Sequence, residues 1–277
     1  MGITFIQIKL NSSNSAAATI TVTPTTAPQN GNFAFLAATW GNATTTVSTA
    51  LKDNNGVAAT LIDASADTGG PVGLAGYYFS SLSGSPTSFT FTSPGGSSGP
   101  IGITYQEWSG LAASPLDGHA IQANGAGSSA TTQTSPSATM ASAGDLVIGY
   151  IGGPITGFSN FNSASFSAAG TGATIRNNDS PVDVIADSSQ IQTSSGASTA
   201  SFALAAANEY MVGIAGFTAA ATGTPYNPYI AQPQLASILA QKHKSIGWTP
   251  NFDYRFRPHR KVSLVPVRKL ILPRKAA

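Results

Sequence analysis

The sequence predicts an all-β chain: an antiparallel β-sandwich body over residues 1–222, then an extended, basic, Pro-rich C-terminal arm over residues 223–277 with one short helix. Three observations carry this. Apolar residues of the body alternate with Thr, Ser and Gln at period two, between Gly, Pro and Asn clusters. No stretch before Ala221 keeps a 3.6-residue apolar period beyond two turns, so crossover helices are not expected and antiparallel pairing is. Charge then changes abruptly. Residues 1–222 hold three bases, Lys9, Lys52 and Arg176, against ten acids, whereas residues 223–277 hold ten bases against Asp253 alone.

Each element follows from its local pattern. Ile3–Leu10 sets Ile and Phe against Thr, Gln and Lys. Ala18–Thr23 places Thr on one face of a strand. Asn32–Trp40 is an apolar run, as a strand buried on both sides requires. Thr44–Leu51 and Val57–Ile62 read as strands flanking Asp53-Asn54-Asn55-Gly56, a turn signal because Asn and Gly tolerate positive φ. Leu74–Ser80, Ser88–Thr92 and Ile101–Trp108 follow as strands rich in aromatic residues. Asp145–Ile151 and Tyr210–Phe217 are apolar strands, and Ala203–Ala207 reads as strand plus turn.

The arm has seven of the chain's seventeen prolines. Its helix is expected from Pro233 to about His243, with Pro in the first turn, Leu235, Ile238 and Leu239 on one face, and Lys242 and Lys244 at the C-terminal end. Val262–Leu272 contains Pro266 and reads as an edge strand or extended segment.

Composition narrows the function classes. Charged residues make up 9%, against roughly 25% in ordinary soluble domains. Cysteine is absent, so there is no disulfide framework or thiolate metal site. Met1–Leu10 lacks a basic start followed by a long apolar run, so a signal peptide is not expected. No apolar run approaches the ~18–20 residues of a membrane span.

The order of motifs resembles a known module. A Thr/Val stretch and Leu51-Lys52-Asp53-Asn54-Asn55-Gly56 precede the aromatic Tyr77-Tyr78-Phe79 and the alternating Phe89/Phe91 strand. Ile103–Leu111, Ser114-Pro115-Leu116-Asp117 and Gly144–Gly149 follow. This order resembles the jelly-roll-like β-sandwich module of tailed-phage virion proteins and bacterial surface proteins, over roughly residues 17–220. The resemblance implies a structural or adhesive role and supplies no catalytic signature.

Candidate chemistry is sparse. His119 follows Asp117-Gly118 near Glu107, but no Gly-x-Ser-x-Gly elbow accompanies it, and Asp117-Gly118-His119 reads as a turn after a strand. Glu107 is the one tempting glycosidase carboxylate. Neighbouring strand residues point oppositely, so a buried Trp108 implies a solvent-facing Glu107. Asp183 and Asp187 would lie about 13 Å apart on one strand face, too far to share one Ca²⁺. No metal and no cofactor is expected. Trp40, Tyr77, Tyr78 and Trp108 are candidate glycan-contacting rings, although large aromatics in strands usually serve the core.

The arm carries the partner expectation. Trp248, Phe252, Tyr254 and Phe256 interleave with Arg255 and Arg257, and Arg260, Lys261, Arg268 and Lys269 follow. Bases among aromatics attract nucleic acid, yet Val262–Leu272 is too apolar for an arm that solvates DNA and suits a protein surface better. The resulting expectation is a non-enzymatic phage virion structural protein, a head decoration or a minor capsid or tail-associated component. Its arm anchors it to capsid or other virion proteins, or to sister copies as a homo-oligomer. The alternative is a carbohydrate-binding adhesin module on a virion or bacterial surface.

Overall fold

The computed structural model describes residues 2–221 apart from 43–45, 68–71, 96–98, 123–129, 154–159, 179–183 and 209. The expected helix over 233–243, the extended segment over 262–272 and all ten arm residues from Trp248 to Lys269 named as partner-binding lie outside the described residues.

The antiparallel sandwich expected from the sequence forms twice over. The first eight strands are β1 (Thr4–Ser13), β2 (Thr19–Val22), β3 (Phe33–Trp40), β4 (Leu51–Asp53), β5 (Thr60–Asp67), β6 (Val72–Phe79), β7 (Phe89–Thr92) and β8 (Ile101–Ser109). They make a five-stranded sheet, β1-β8-β3-β6-β5, and a three-stranded sheet, β2-β7-β4. First strand beside last and second beside seventh is the interleaving of a jelly roll.

The remaining strands are β9 (Leu111–Ile121), β10 (Ala130–Thr134), β11 (Ala138–Met140), β12 (Leu146–Gly152), β13 (Phe161–Phe166), β14 (Gly170–Asn178), β15 (Ile185–Gln192), β16 (Gly196–Ser198), β17 (Ala200–Asn208) and β18 (Met211–Ala219). Their sheets run β14-β15-β12-β18-β9 and β10-β17-β13, with β11-β16 as a separate pair. With that pair set aside, the second half repeats the first strand for strand. β9, β18, β12, β15 and β14 correspond to β1, β8, β3, β6 and β5, and β10-β17-β13 corresponds to β2-β7-β4.

Local geometry repeats as well. Phe33 pairs with Trp108 across β3/β8 as Leu146 pairs with Phe217 across β12/β18. Gly31 and Gly144, with φ of 89° and 88°, open β3 and β12. The Gly31 N–H donates to Leu82 O, whose own N–H returns to Asn32 O; Gly144, Gln192 and Asp145 make the same ring. Only glycine adopts that φ without strain, so the turn into each central strand is fixed by its sequence.

The two five-stranded sheets pack face to face, and the smaller sheets cover their outer faces. In β3, Ala34, Leu36, Ala38 and Trp40 face β2-β7-β4, while Phe33, Phe35 and Ala37 face the other repeat. In β12, Leu146, Ile148 and Tyr150 face the first repeat, while Val147 and Ile151 face the outer strands. A strand covered on both sides has no polar face, which is why Asn32–Trp40 reads as an unbroken apolar run. β1 lies over β14 and β5 over β9. Because β14 corresponds to β5 and β9 to β1, the repeats are related by a pseudo-twofold axis, as in an isologous dimer within one chain.

Edges of the large sheets are blunted. β1 shifts register between Phe5 and Gln7, β5 between Leu61 and Asp63, β14 twice, and β9 opposite Ala215/Phe217 and Phe217/Ala219. Bulges of this kind twist an edge away from foreign strands.

Two local expectations change. Of the strand expected over 44–51, residues 46–50 are not strand and β4 starts at Leu51, because Val47 and Ala50 close a turn through Ala50 N–H and Val47 O, and Tyr77 Oη also binds Val47 O; residues 44 and 45 lie outside the described residues. Asp117-Gly118-His119 is not a turn but lies inside β9, where His119 pairs with Ala215 and a register shift absorbs the Asp-Gly pair.

Candidate functional site

Glu107 and Trp108 occupy β8, a middle-layer strand, so both are buried. This corrects the expectation that one would face solvent. The Glu107 carboxylate accepts from Gln7 Nε2 at 2.6 Å, Gln29 N at 2.9 Å, Asn32 Nδ2 at 2.7 Å and Tyr105 Oη at 3.0 Å. Four donors from β1, β8 and the 29–32 loop leave it no open face for a substrate. It is a structural anchor that ties the loop before β3 to its sheet.

Three of the four aromatic glycan candidates belong to the core. Trp40 and Tyr77 are fully buried and Trp108 nearly so. Their polar atoms bind inside the fold: Trp40 Nε1 to Asn42 Oδ1, Tyr77 Oη to Val47 O, and Trp108 Nε1 to Gln106 Oε1. The central sheet is covered on both faces, so these rings cannot stack on a sugar. Tyr78 is half-buried, its ring stacked on Phe33 at 6.0 Å and tilted against Phe217 at 5.9 Å.

A polar cluster crosses the junction of the repeats. Asp187 of β15 is fully buried and accepts from the backbone and side-chain amides of Asn177 on β14. Burial pushes its carboxyl up to about 6, against the Asn177 hydrogen bonds, which favour the charged form. Nearby Arg176 donates from Nε to Ser189 Oγ at 2.7 Å and lies 4.5 Å from the Phe5 ring centroid and 5.4 Å from that of Trp108. This cluster sits between β1/β8 and β14/β15 and joins the repeats by polar contacts as well as apolar ones.

The remaining acids are also engaged. Asp53 Oδ1 accepts from Asn55 N and Val57 N and closes the turn read from the sequence. Asp63 binds His119 Nδ1 at 3.2 Å across the junction of the repeats. Asp117 accepts from Ala141 N, and Asp145 lies beside it. Burial and the neighbouring Asp117 carboxylate push Asp145 up to about 6. Among the seven described acids of the body, Asp53, Asp67, Glu107, Asp145 and Asp187 are buried. Asp179, Asp183 and Glu209 lie outside the described residues. No group of three metal-ligating side chains is found among the described residues.

The outward face of β2-β7-β4 is different in kind. It presents Thr19 and Thr21 from β2, Thr90 and Thr92 from β7, and Lys52 from β4, while Ile20, Val22, Leu51, Phe89 and Phe91 turn inward. Thr21 and Thr90 hydroxyls meet at 2.8 Å. At one end of this sheet Thr46, Thr49, Lys52, Thr92 and Ser93 line an open groove of about 440 Å³. The period-two threonines of Ala18–Thr23 were legible in the sequence; Lys52 and Ser93 carried no signal of their own. Searches for related proteins give no family: no family model matches the chain, and no curated protein matches it.

Proposed function

We propose that the chain is a non-enzymatic structural protein of a phage particle, whose double sandwich is displayed and whose arm anchors it to a capsid or other virion protein. The observation that supports this most is where the charges are. The body's described acids are nearly all buried or hydrogen-bonded within the fold, so few face outward to meet the ten bases of residues 223–277. The counter-charge for the arm then lies on another molecule, and an acidic protein face suits an arm that is also apolar. For the same reason a different virion protein fits better than the body of a sister copy.

In this reading Trp248, Phe252, Tyr254 and Phe256 supply buried area. Arg255, Arg257, Arg260, Lys261, Arg268 and Lys269 supply orientation. Segments of such composition give up conformational entropy when they bind, which buried area and main-chain hydrogen bonds must offset. The blunted edges of the body's large sheets agree with a displayed module that resists strand addition by its neighbours.

Two forms of the chain test this. One ends at Ala221; the other is full-length with those six bases changed to Gln. Both should fold and fail to co-sediment with particles that incorporate the unaltered chain. Normal incorporation of either form refutes the anchoring role.

A further inference from the structure

The strand pair β11-β16 has no counterpart in the first repeat. β11 packs on β9 and β18 as a flap. Its seat is close: a Cβ at Gly216 would lie 1.9 Å from Met140 Sδ, and one at Gly118 would lie 2.2 Å from Thr139 O. Ala138 and Met140 are buried there. A polar tie fastens the end of the flap, because the Ala141 N–H donates to Asp117 Oδ2 on β9. Asp145, at the entrance to β12, lies beside Asp117.

The matching place in the first repeat is built the opposite way. Glu107 pairs with Ala34 as Gly216 pairs with Val147, so Gly216 holds the position of Glu107. Asn32 precedes β3 as Asp145 precedes β12. Opposite Glu107, β1 bulges at Ile6-Gln7; opposite Gly216, β9 bulges at Asp117-Gly118. The first repeat thus has a central carboxylate held by the amides of Gln7, Gln29 and Asn32. The second has a glycine in the centre and a carboxyl group on each side of it. Asp145 is 1% exposed, and its Oδ2 has no hydrogen-bond partner among the amides and hydroxyls around it. Two carboxyl groups share one such place when one of them holds a proton.

We propose that Asp117 and Asp145 form a proton-operated latch: with a proton on Asp145 they fasten the end of β11 and the 141–145 turn to β9, and without it they let that flap lift. Burial first and the Asp117 carboxylate second push Asp145 up to about 6. The folded state therefore holds this proton more tightly than the unfolded chain, and the latch is closed below about 6 and released as pH rises through it. Among the described residues no cation stands by to replace the proton. His119, two residues along β9 from Asp117, is bonded to Asp63 on β5. β18 brings Gly216, Phe217 and Thr218, β15 brings Ile191 and Gln192, and β16 brings Ser198, all neutral. The latch is independent of the arm, so it stands or falls separately from the anchoring role.

Hydrogen exchange of the full chain at pH 5 and pH 7.5, corrected for the intrinsic rate at each pH, reads the latch. Protection of residues 138–145 should fall about tenfold or more at the higher pH. The 29–32 loop is the internal reference, since its carboxylate faces amides and no second acid, and its protection should hold. Asp145→Asn keeps the shape and gives Asp117 a permanent donor, so protection of the flap should be equal at both pH values. Should that variant fail to fold, Asp117→Asn decides, since its amide can accept from Ala141 and donate to Asp145. Protection of the flap that does not fall in the unaltered chain overturns the proposal. So does a fall of equal size in the 29–32 loop, or a fall that survives in whichever variant folds.

Discussion

Tyr150 of β12 stands against Gly213 of β18 so closely that a Cβ at position 213 would lie 2.2 Å from the phenol ring. Gly76, from the facing sheet, approaches the same ring, at 2.9 Å from the position a Cβ would take. The ring fills the space two glycines leave open at the junction of the repeats. Gly213→Ala should therefore destabilise the body by about 1–3 kcal/mol or more, since both the ring and the adjacent backbone must move. Urea unfolding of the two proteins, compared at equal slope, measures it. An unchanged midpoint would show that the junction is loosely packed.

The hydroxyl of the same tyrosine gives the opposite expectation. Tyr150 Oη is buried without a hydrogen-bond partner, and burial raises its pKa. Tyr150→Phe removes an unsatisfied polar group and keeps the ring. Stability should hold or rise by up to about 1 kcal/mol. A loss beyond that in thermal unfolding would mean that the hydroxyl has a partner, such as bound water.

Glu107→Gln is conservative in shape and severe in hydrogen bonding. The carboxylate accepts four donors, and a glutamine amide would aim its own N–H groups at two of them. A loss of about 2–4 kcal/mol is expected. Hydrogen exchange should show the change first in the 29–32 loop and the start of β1. Unaltered stability would count against the anchoring role of this carboxylate.

Acidity should stabilise the body over one interval. Asp145 and Asp187 both titrate near 6 when folded, against ~3.9 for a free Asp. The folded state therefore holds these protons more tightly than the unfolded chain. The stabilising contribution is fully present below about 4 and is lost as pH rises through about 6. Melting temperature should be a few degrees higher at pH 5 than at pH 7.5, and Asp145→Asn should narrow that difference. A higher melting temperature at pH 7.5 would contradict both shifts.

How much of this was legible depends on what covers each strand. β2 and β7 are half-exposed, so Ala18–Thr23 and Phe89/Phe91 alternate visibly. The Asp53–Gly56 turn announces itself because its residues act locally. Burial of both Glu107 and Trp108 was hidden, because a strand with two covered faces obeys no alternation rule. The duplication was hidden for a related reason. Its matching strands, Phe33–Trp40 and Leu146–Gly152, share only apolar character, and apolar positions exchange freely while volume is kept. β9 escaped notice because Pro115 and Asp117-Gly118 read as breakers, yet register shifts accommodate them in an edge strand. The groove could not be read at all, since Thr46, Thr49, Lys52 and Thr92 come together only once the sheet has formed.

Back-to-back stacking has a geometric consequence for any array of these molecules. The hydroxyl-bearing sheets β2-β7-β4 and β10-β17-β13 cap opposite ends of a four-layer pile, so they look in opposite directions. A flat support can engage one of them, and the other must then point away from it. The body behaves as a two-sided tile, and since Lys52 on one side has the neutral Ser165 as its counterpart on the other, it matters which side is up.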